Sequence, residues 1–473
     1  MIFDLRRVAA MLLLAMMLGG CSKTATQSPA SGPTSSTATA TRSAASRTEP
    51  SAAPTTLPTL IAPALPPASM GPELKDFPSN YNPLTAQPVS DPASMKLPAM
   101  LVSISNFPAT ARPQAGLSFA PYVFEFSITE GATRFLTVFY GDYPKPEVPV
   151  TGNCPVRMEP FEQTSDAIVG NRVWLDWNGD GVQQFEEPGV GGVCVNLYDA
   201  SGAQVDATTT DSNGYYGFNL PAADGRYVIE VVQPPGMLFT TFKAGGNDDL
   251  DSDVDPPSGR MEVTARGTLL TLDAGLVVVP GAEPTPNPDQ PPPKPEVGPV
   301  RSGRLLYADL AAMFQDSCLV YAFASPEVLS QIPYCSMVSH EIQGGGYMLP
   351  IERMWAIAKD NRKDHTVFDY SSNLYTQAPP PGGEPAKRLD VYFAYLNQSG
   401  WRYDPLMQSY LRYTDTTVQS EAGQLHPDTD RLTRRQLHFE NIIILTADHV
   451  VVTPTNLDID LEQGGKGPAY LFR

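Results

Sequence analysis

Two proline-rich stretches, "GDYPKPEVPV" at 141–150 and "VPGAEPTPNPDQPPPKPEVGPV" at 279–300, divide this chain into parts that must fold separately. Proline fixes φ and lacks the N–H that helices and sheet ladders require, so neither stretch continues a regular element. The block between them, 166–278, has to close a core of its own. A chain of 473 residues has room for two or three such units.

Inside the block, short alternating runs recur: "IVGNRVWL", "GVCVNLYD", "GYYGFNLP", "RYVIEVVQ" and "TLLTLDAGL". Turn signals such as "DASGAQ" and "DSNGYY" separate them, and no helical period is present. This pattern predicts a β-sandwich. One loop in the block, "DWNGDGVQQFEE" at 176–187, has the spacing of a calcium loop. Asp176, Asn178 and Asp180 offer side-chain oxygens, Val182 a carbonyl and Glu187 a bidentate carboxylate. Gly181 stands where the loop needs its sharp turn. A second acidic run holds Asp248, Asp249, Asp251, Asp253 and Asp255. If extended, it puts Asp249, Asp251, Asp253 and Asp255 on one side, where they repel one another unless a cation bridges them or water solvates them. Asp211 and Asn213 could join either site.

The flanks read differently. "MLVSISN", "YVFEFSI" and "RFLTVFYG" are strand-like, as are "VYFAYLN", "SYLRYTD" and "ENIIILTADHVVVTP" further on. "VGPVRSGRLLYADLAAMFQDS" predicts a turn and an amphipathic helix, with Ser302 as cap and Leu306, Leu310 and Met313 on one face. "SPEVLSQI" places Ser325 at a cap and Pro326 at the first helical position. The expected fold is therefore a multidomain chain, a mixed α/β body of the α+β type interrupted by an all-β, calcium-binding sandwich.

Arg112, Arg134, Arg301 and Arg304 lie in the body. Arg301 and Arg304 are expected at a helix start, where the dipole disfavours cations, so something acidic should be near. Glu125 and Glu130 would supply structural ion pairs. Alternatively the four arginines grip an anionic ligand, a carboxylate or phosphate of a wall polymer. The five histidines, His340, His365, His426, His438 and His449, show no metal spacing, and no Gly-x-Ser-x-Gly elbow is present.

The N-terminus has an export pattern. Arg6 and Arg7 precede an apolar run from Val8 to Leu18 that is short for a membrane span. Residues 22–75 are dominated by Ser, Thr, Ala and Pro and predict a disordered tether. Four cysteines follow Cys21, and four allow three pairings. Cys154–Cys194 with Cys318–Cys335 is preferred, because each pair then stays inside one domain. The formal charge of −19 argues against nucleic acid and favours cations as ligands.

Three resemblances sharpen these expectations. The 1–21 segment, ending Leu18-Gly19-Gly20-Cys21, resembles the lipobox of bacterial lipoproteins. It implies that Cys21 carries lipid and anchors the chain to the outer face of the cell membrane. The block, through "GNRVWLDWNGDGVQQFEEPGVGGVCVNLYD", "TTTDSNGYYGFNLP", "YVIEVVQPPG", "GNDDLDSDVD" and "LDAG", resembles the B-type repeat of serine–aspartate adhesins. That implies an Ig-like or prealbumin-like sandwich stiffened by calcium, serving as a stalk or spacer. The flanks resemble the YerB-like lipoprotein family, whose function is unknown. "SNFPATARPQAGLSFAPYVFEFSITEGATRFLTVF" carries the upstream match. "VGPVRSGRLLYADLAAMF", "YAFASPEVL", "WRYDPLMQSYLRY", "NIIILTADHVVV" and "LDIDLEQGGKG" carry the downstream one. The resemblance implies a first domain split into 76–148 and 297–385, a linker at 279–296, and a C-terminal domain at 386–473 shorter than in relatives. Tyr321, Phe323 and Ala324 stand where the family has small and His residues, which weighs against carrying a ligand site to that loop.

The function expected is binding or scaffolding at the envelope without catalysis, with a wall polymer or envelope protein as partner. An enzyme acting on wall polymers is the alternative, and requires Arg112, Arg134 and Arg301 in one pocket with a His or carboxylate. A third reading, a surface adhesin, requires the insert to hold the partner site.

Overall fold

The computed structural model describes residues 69–473 except 130, 148–151, 186, 222–223, 265, 280–290, 339–345, 366, 377–380, 395–396, 416–423, 454–455 and 460–466. The export segment with Cys21, residues 22–68 of the tether, Glu130 and His340 lie outside the described residues. Among those described, no helix is long and apolar enough to cross a membrane.

Strand Met100–Ser105 is the centre of a seven-stranded mixed sheet. It is buried along its whole length, because apolar clusters cover both faces. Met100, Val102 and Ile104 face Val297, Val300, Leu349 and Met354. Leu101 faces the other way, toward Leu136, Val138, Tyr307 and Leu319. Ala132–Phe139 pairs antiparallel with the central strand and Cys318–Tyr321 pairs parallel to it. Glu296–Val300 meets it at Val300 opposite Ile104. The chain thus leaves the sheet after Phe139 and rejoins it at Glu296, and the insert occupies a connection between two strands of one sheet.

The insert is two four-stranded sheets. Tyr215–Asn219, Ile168–Leu175, Ala274–Val278 and Met237–Phe239 form one. Arg260–Thr264, Arg226–Val231, Cys194–Asp199 and Gln204–Thr209 form the other. Val169, Val173, Tyr216 and Phe218 pack against Val195, Leu197, Ile229 and Val231 between them. Full burial of each such side chain contributes roughly 1.5–3 kcal/mol. Cys194 alternates away from Val193, Val195 and Leu197 and bonds Cys154, as expected. Cys318 bonds Cys335.

A third, five-stranded sheet contains Arg388–Ala394, Asn397–Asp404, Ser409–Asp415 and Leu425–Pro427, with His438–Phe439 also on Ser409–Asp415. The chain is mostly strand. Helix is scarcer than a mixed α/β body suggests, with three α-helices among the described residues. Ser325 caps Pro326–Leu329 as expected. Ser302 does not cap the helix before it, which spans Leu306–Ala312 with Leu305 at the N-cap position. Residues 301–304 stay outside the helix because Arg301 and Gly303 are tied elsewhere: Arg301 N donates to Ser103 O and Gly303 N to Phe323 O. Tyr307 joins Leu306 and Leu310 on the buried face, while Met313, just past the helix, is 65% exposed.

Candidate functional site

The loop 176–187 turns tightly and folds onto itself. Asp176 accepts from Gly179 N at 2.6 Å, Gly181 N at 2.8 Å and the Thr240 hydroxyl. Asp180 accepts from Val182 N at 2.8 Å and from the Asn178 and Gln184 amides. Glu187 accepts from Trp177 N at 2.9 Å and Gln184 N at 3.0 Å. Gly181 has φ +79°, and a Cβ there would lie 2.8 Å from both Ala244 Cβ and Thr241 O. Glycine is therefore required for both the turn and the contact. Asp176 and Glu187 are 2% and 3% exposed. Burial pushes the Glu187 carboxyl up to about 7, against its backbone hydrogen bonds and with Asp176 and Asp180 adding repulsion.

The second acidic run packs on this loop. Val182 bridges Asp251, and Gln183 N donates to Leu250 O at 2.6 Å. The run is not extended. A turn, with Leu250 N and Asp251 N both donating to Asn247 O, leaves Asp249 exposed and apart from buried Asp251 and Asp253. The expected one-sided row of Asp249, Asp251, Asp253 and Asp255 therefore does not form. The positive charge among Asp248, Asp251 and Asp253 is the Lys243 ammonium. Asp211 sits elsewhere, beside Arg157. Among the described residues no three His, Cys, Asp or Glu side chains converge at metal-ligand spacing. Calcium's donor types are present in the 176–187 loop, and its buried carboxylates accept from backbone N–H groups.

The four arginines separate onto opposite faces of the body sheet. Arg112 donates to Asn106 O and Oδ1 at 3.2 and 3.1 Å, to Asp415 O at 2.8 Å and to Asn397 Oδ1 at 3.2 Å. Asn106 in turn donates to Glu125 and Thr133. Thr133 and Arg134 are neighbours on one strand and point oppositely. Arg134 therefore lies across the sheet, donating to Ser105 Oγ at 2.9 Å, with Arg301 and Arg304 near enough to repel it. Arg304 directly precedes the helix's N-cap Leu305, its carbonyl accepting from Tyr307 N at 3.1 Å, and Arg301 lies three residues further upstream in the irregular run before the helix. Glu125 does not pair with any of the four; it pairs with Arg412 at 3.1 Å. The single pocket that would join Arg112 to Arg134 and Arg301 is absent from the described residues.

Residues 167–276 match the SdrD B-like domain, 84–169 the N-terminal domain of the protein family of unknown function DUF3048, and 389–473 its C-terminal domain. The chain carries both DUF3048 domains, split by an SdrD B-like domain. Over the SdrD B-like region it is 44% identical, across 94 residues, to a fibrinogen-binding protein of Staphylococcus epidermidis, covering 20% of this chain and 8% of that protein. It is 40% identical to serine-aspartate repeat-containing protein C of Staphylococcus aureus strain N315, across 24% of this chain and 11% of that one. The chain thus spans only about a tenth of the length of these relatives. The YerB protein of Bacillus subtilis is similar at 16% identity and TM-score 0.40, with 83% of each chain covered.

The SdrD B-like domain is held against the DUF3048 C-terminal domain by a contact that sequence patterns did not single out, although Asp211 and His438 were named for other roles. Arg157 bridges Asp211 of the insert, at 3.3 Å, and buried Asp404 of the C-terminal sheet. Arg435 of the C-terminal domain pairs with Glu147, just before the insert. Ser212 bonds His438. Gly217 lacks a Cβ that Leu406 Cδ1 would meet at 2.8 Å. Arg412, 2% exposed, pairs with Glu125 and Asp428 and so ties the two DUF3048 domains together. An arginine within an alternating strand such as "SYLRYTD" reads as solvent-facing, and its register against a distant carboxylate is not encoded locally.

Proposed function

We propose that this chain is a lipoprotein, anchored through lipid on Cys21 at the extracytoplasmic face of the cell membrane. There its DUF3048 body binds or scaffolds envelope components, a wall polymer or an envelope protein, with the SdrD B-like insert as a stiff spacer. The observation that carries this reading is the docking of the insert on the body through Arg157, Asp211 and Asp404. An insert clamped in this way holds the body at a fixed aspect, which suits a scaffold. The names of the relatives over the insert, a fibrinogen-binding protein and a serine-aspartate repeat-containing protein, support a place at the cell surface.

Calcium at Asp176, Asn178, Asp180, Val182 and Glu187 would complete the stiffening. The buried carboxylates of Asp176 and Glu187, with burial pushing Glu187 up to about 7, support that assignment. A divalent ion would neutralise the charge there and replace the Asn178 and Gln184 amide contacts. Asp251 and Asp253, with Lys243 between them, have less need of an ion. The test expresses the full chain in a bacterial host fed radiolabelled palmitate. Wild type takes label and stays with membranes, and Cys21→Ala does neither; equal labelling of both overturns the anchor. Melting the full chain in calcium and in chelator tests the spacer, and identical midpoints overturn it.

A further inference from the structure

Arg134 is 6% exposed, and among the described residues its only hydrogen bond goes to the neutral hydroxyl of Ser105. Its Nε is buried with no partner. Burial pushes its pKa down to about 10, Tyr307 opposes the fall, and Arg304 and Arg301 add to it. Arg301, half-buried, has no carboxylate among the described residues, and its Nε lies 3.2 Å from where a Cβ on Gly346 would be. Ser103 Oγ and Tyr307 Oη, bonded to each other at 2.7 Å, line the same face of the sheet. Glu125 is on the opposite face with Arg412. Burying one guanidinium without an anion costs several kcal/mol, and adding like charges beside it costs more. Arg157, Arg412 and Arg435 each bond at least one carboxylate, and Arg112, which bonds none, fills its donors with four carbonyl and amide acceptors.

We propose that Arg134, Arg301 and Arg304, with Ser105 at their base, form a site for the phosphoryl group of a small phosphate ester or a phosphodiester polymer. A planar carboxylate is satisfied by one guanidinium fork, whereas a tetrahedral group presents oxygens to several donors at once. Arg134 supplies the buried end of the site, and Arg301 and Arg304, both half-buried, supply its entrance. The proposal rests on the reading of the body as a binding element and names what it binds.

The test is calorimetric titration of the full chain in detergent with inorganic phosphate, glycerol phosphate, poly(glycerol phosphate) and acetate. Phosphate-bearing ligands bind and acetate does not. A polymer that binds tighter per phosphate than the free ion identifies a polymer site, and equal affinity identifies a small-ester site. Arg301→Gln weakens binding at least tenfold and leaves the melting temperature nearly unchanged, because Arg301 has no carboxylate partner among the described residues. Arg134→Met abolishes binding and does not lower the melting temperature in anion-free buffer; an ion-paired structural arginine would lower it. Absence of binding by every phosphate ligand, equal binding of acetate, or full affinity in Arg301→Gln overturns the site. Loss of this signal alone, with palmitate labelling of Cys21 and the calcium shift intact, removes the site and leaves the anchored, calcium-stiffened reading standing.

Discussion

Arg157, on the strap leading into the insert, donates to Asp404, whose carboxylate is fully buried in the C-terminal sheet. The other end of the same guanidinium reaches Asp211. Asp404 also accepts from Phe161 N at 2.9 Å, Leu406 N at 2.8 Å and Met407 N at 3.0 Å. One cation therefore joins three chain segments at a low-dielectric contact.

Arg157→Met leaves two buried carboxylates without their cation. Removing one partner of a buried pair costs about 3–5 kcal/mol. The full chain should lose stability on that scale in a urea titration. A loss below about 1 kcal/mol would mean that the contact is solvated and the insert not clamped.

The Cys154–Cys194 bridge closes a separation of 40 residues and Cys318–Cys335 one of 17. Chain entropy assigns the longer loop about 4 kcal/mol and the shorter about 3 kcal/mol. Cys154→Ala with Cys194→Ala should therefore cost slightly more than Cys318→Ala with Cys335→Ala. Non-reducing peptide mapping of the wild type should recover both linked pairs, and free thiols at either would refute the pairing.

What the sequence made legible follows its periodicities. "IVGNRVWL" and "MLVSISN" alternate or run apolar, so their strands were readable, and so was the outward turn of Cys194. The Ser325 cap was readable because its signal is local. The failures are all non-local. Ser302 would have capped a helix had Ser103 and Phe323 not claimed the backbone of Arg301 and Gly303 on either side of it. Lys243 could not be matched to Asp251 and Asp253 without knowing that the chain turns at 247–250. The arginines could not be sorted by face until Ser105 was registered against Arg134. Periodicity places a residue on a strand, and only register places it beside a partner.

Gly181→Ala should destabilise the full chain by about 1–2 kcal/mol from its positive φ alone, and by more from the 2.8 Å approaches to Ala244 and Thr241. Gly202→Ala is the matched control, with φ +83° and nothing within 4 Å of its Cβ. Asp180→Ala, which keeps the turn, should instead lose most of the calcium-induced rise in melting temperature. If Gly202→Ala costs as much as Gly181→Ala, the close packing of the loop on 241–244 contributes nothing.

His438 makes the insert contact sensitive to acid. Its ring, between Ser212 and Ser409, is held neutral, and burial with help from Arg435 pushes its pKa down to about 4. Asp404 opposes that shift. An unfolded histidine titrates near 6.5. Between about 4 and 6.5 the unfolded chain therefore holds a proton that the folded chain lacks, and stability rises with pH. The contribution is complete above 6.5 and is lost as pH falls toward 4. Asp211 acts in the opposite sense over part of this window, because burial pushes its carboxyl up to about 6 despite Arg157. Subtracting the profile of His438→Gln from that of the wild type isolates the histidine. From pH 7.5 to 4.5 the wild type should lose on the order of 2–3 kcal/mol more than His438→Gln in urea titrations. Parallel profiles would mean that the ring already meets solvent in the folded chain, and the seam between Ser212 and the C-terminal sheet would then be open to water.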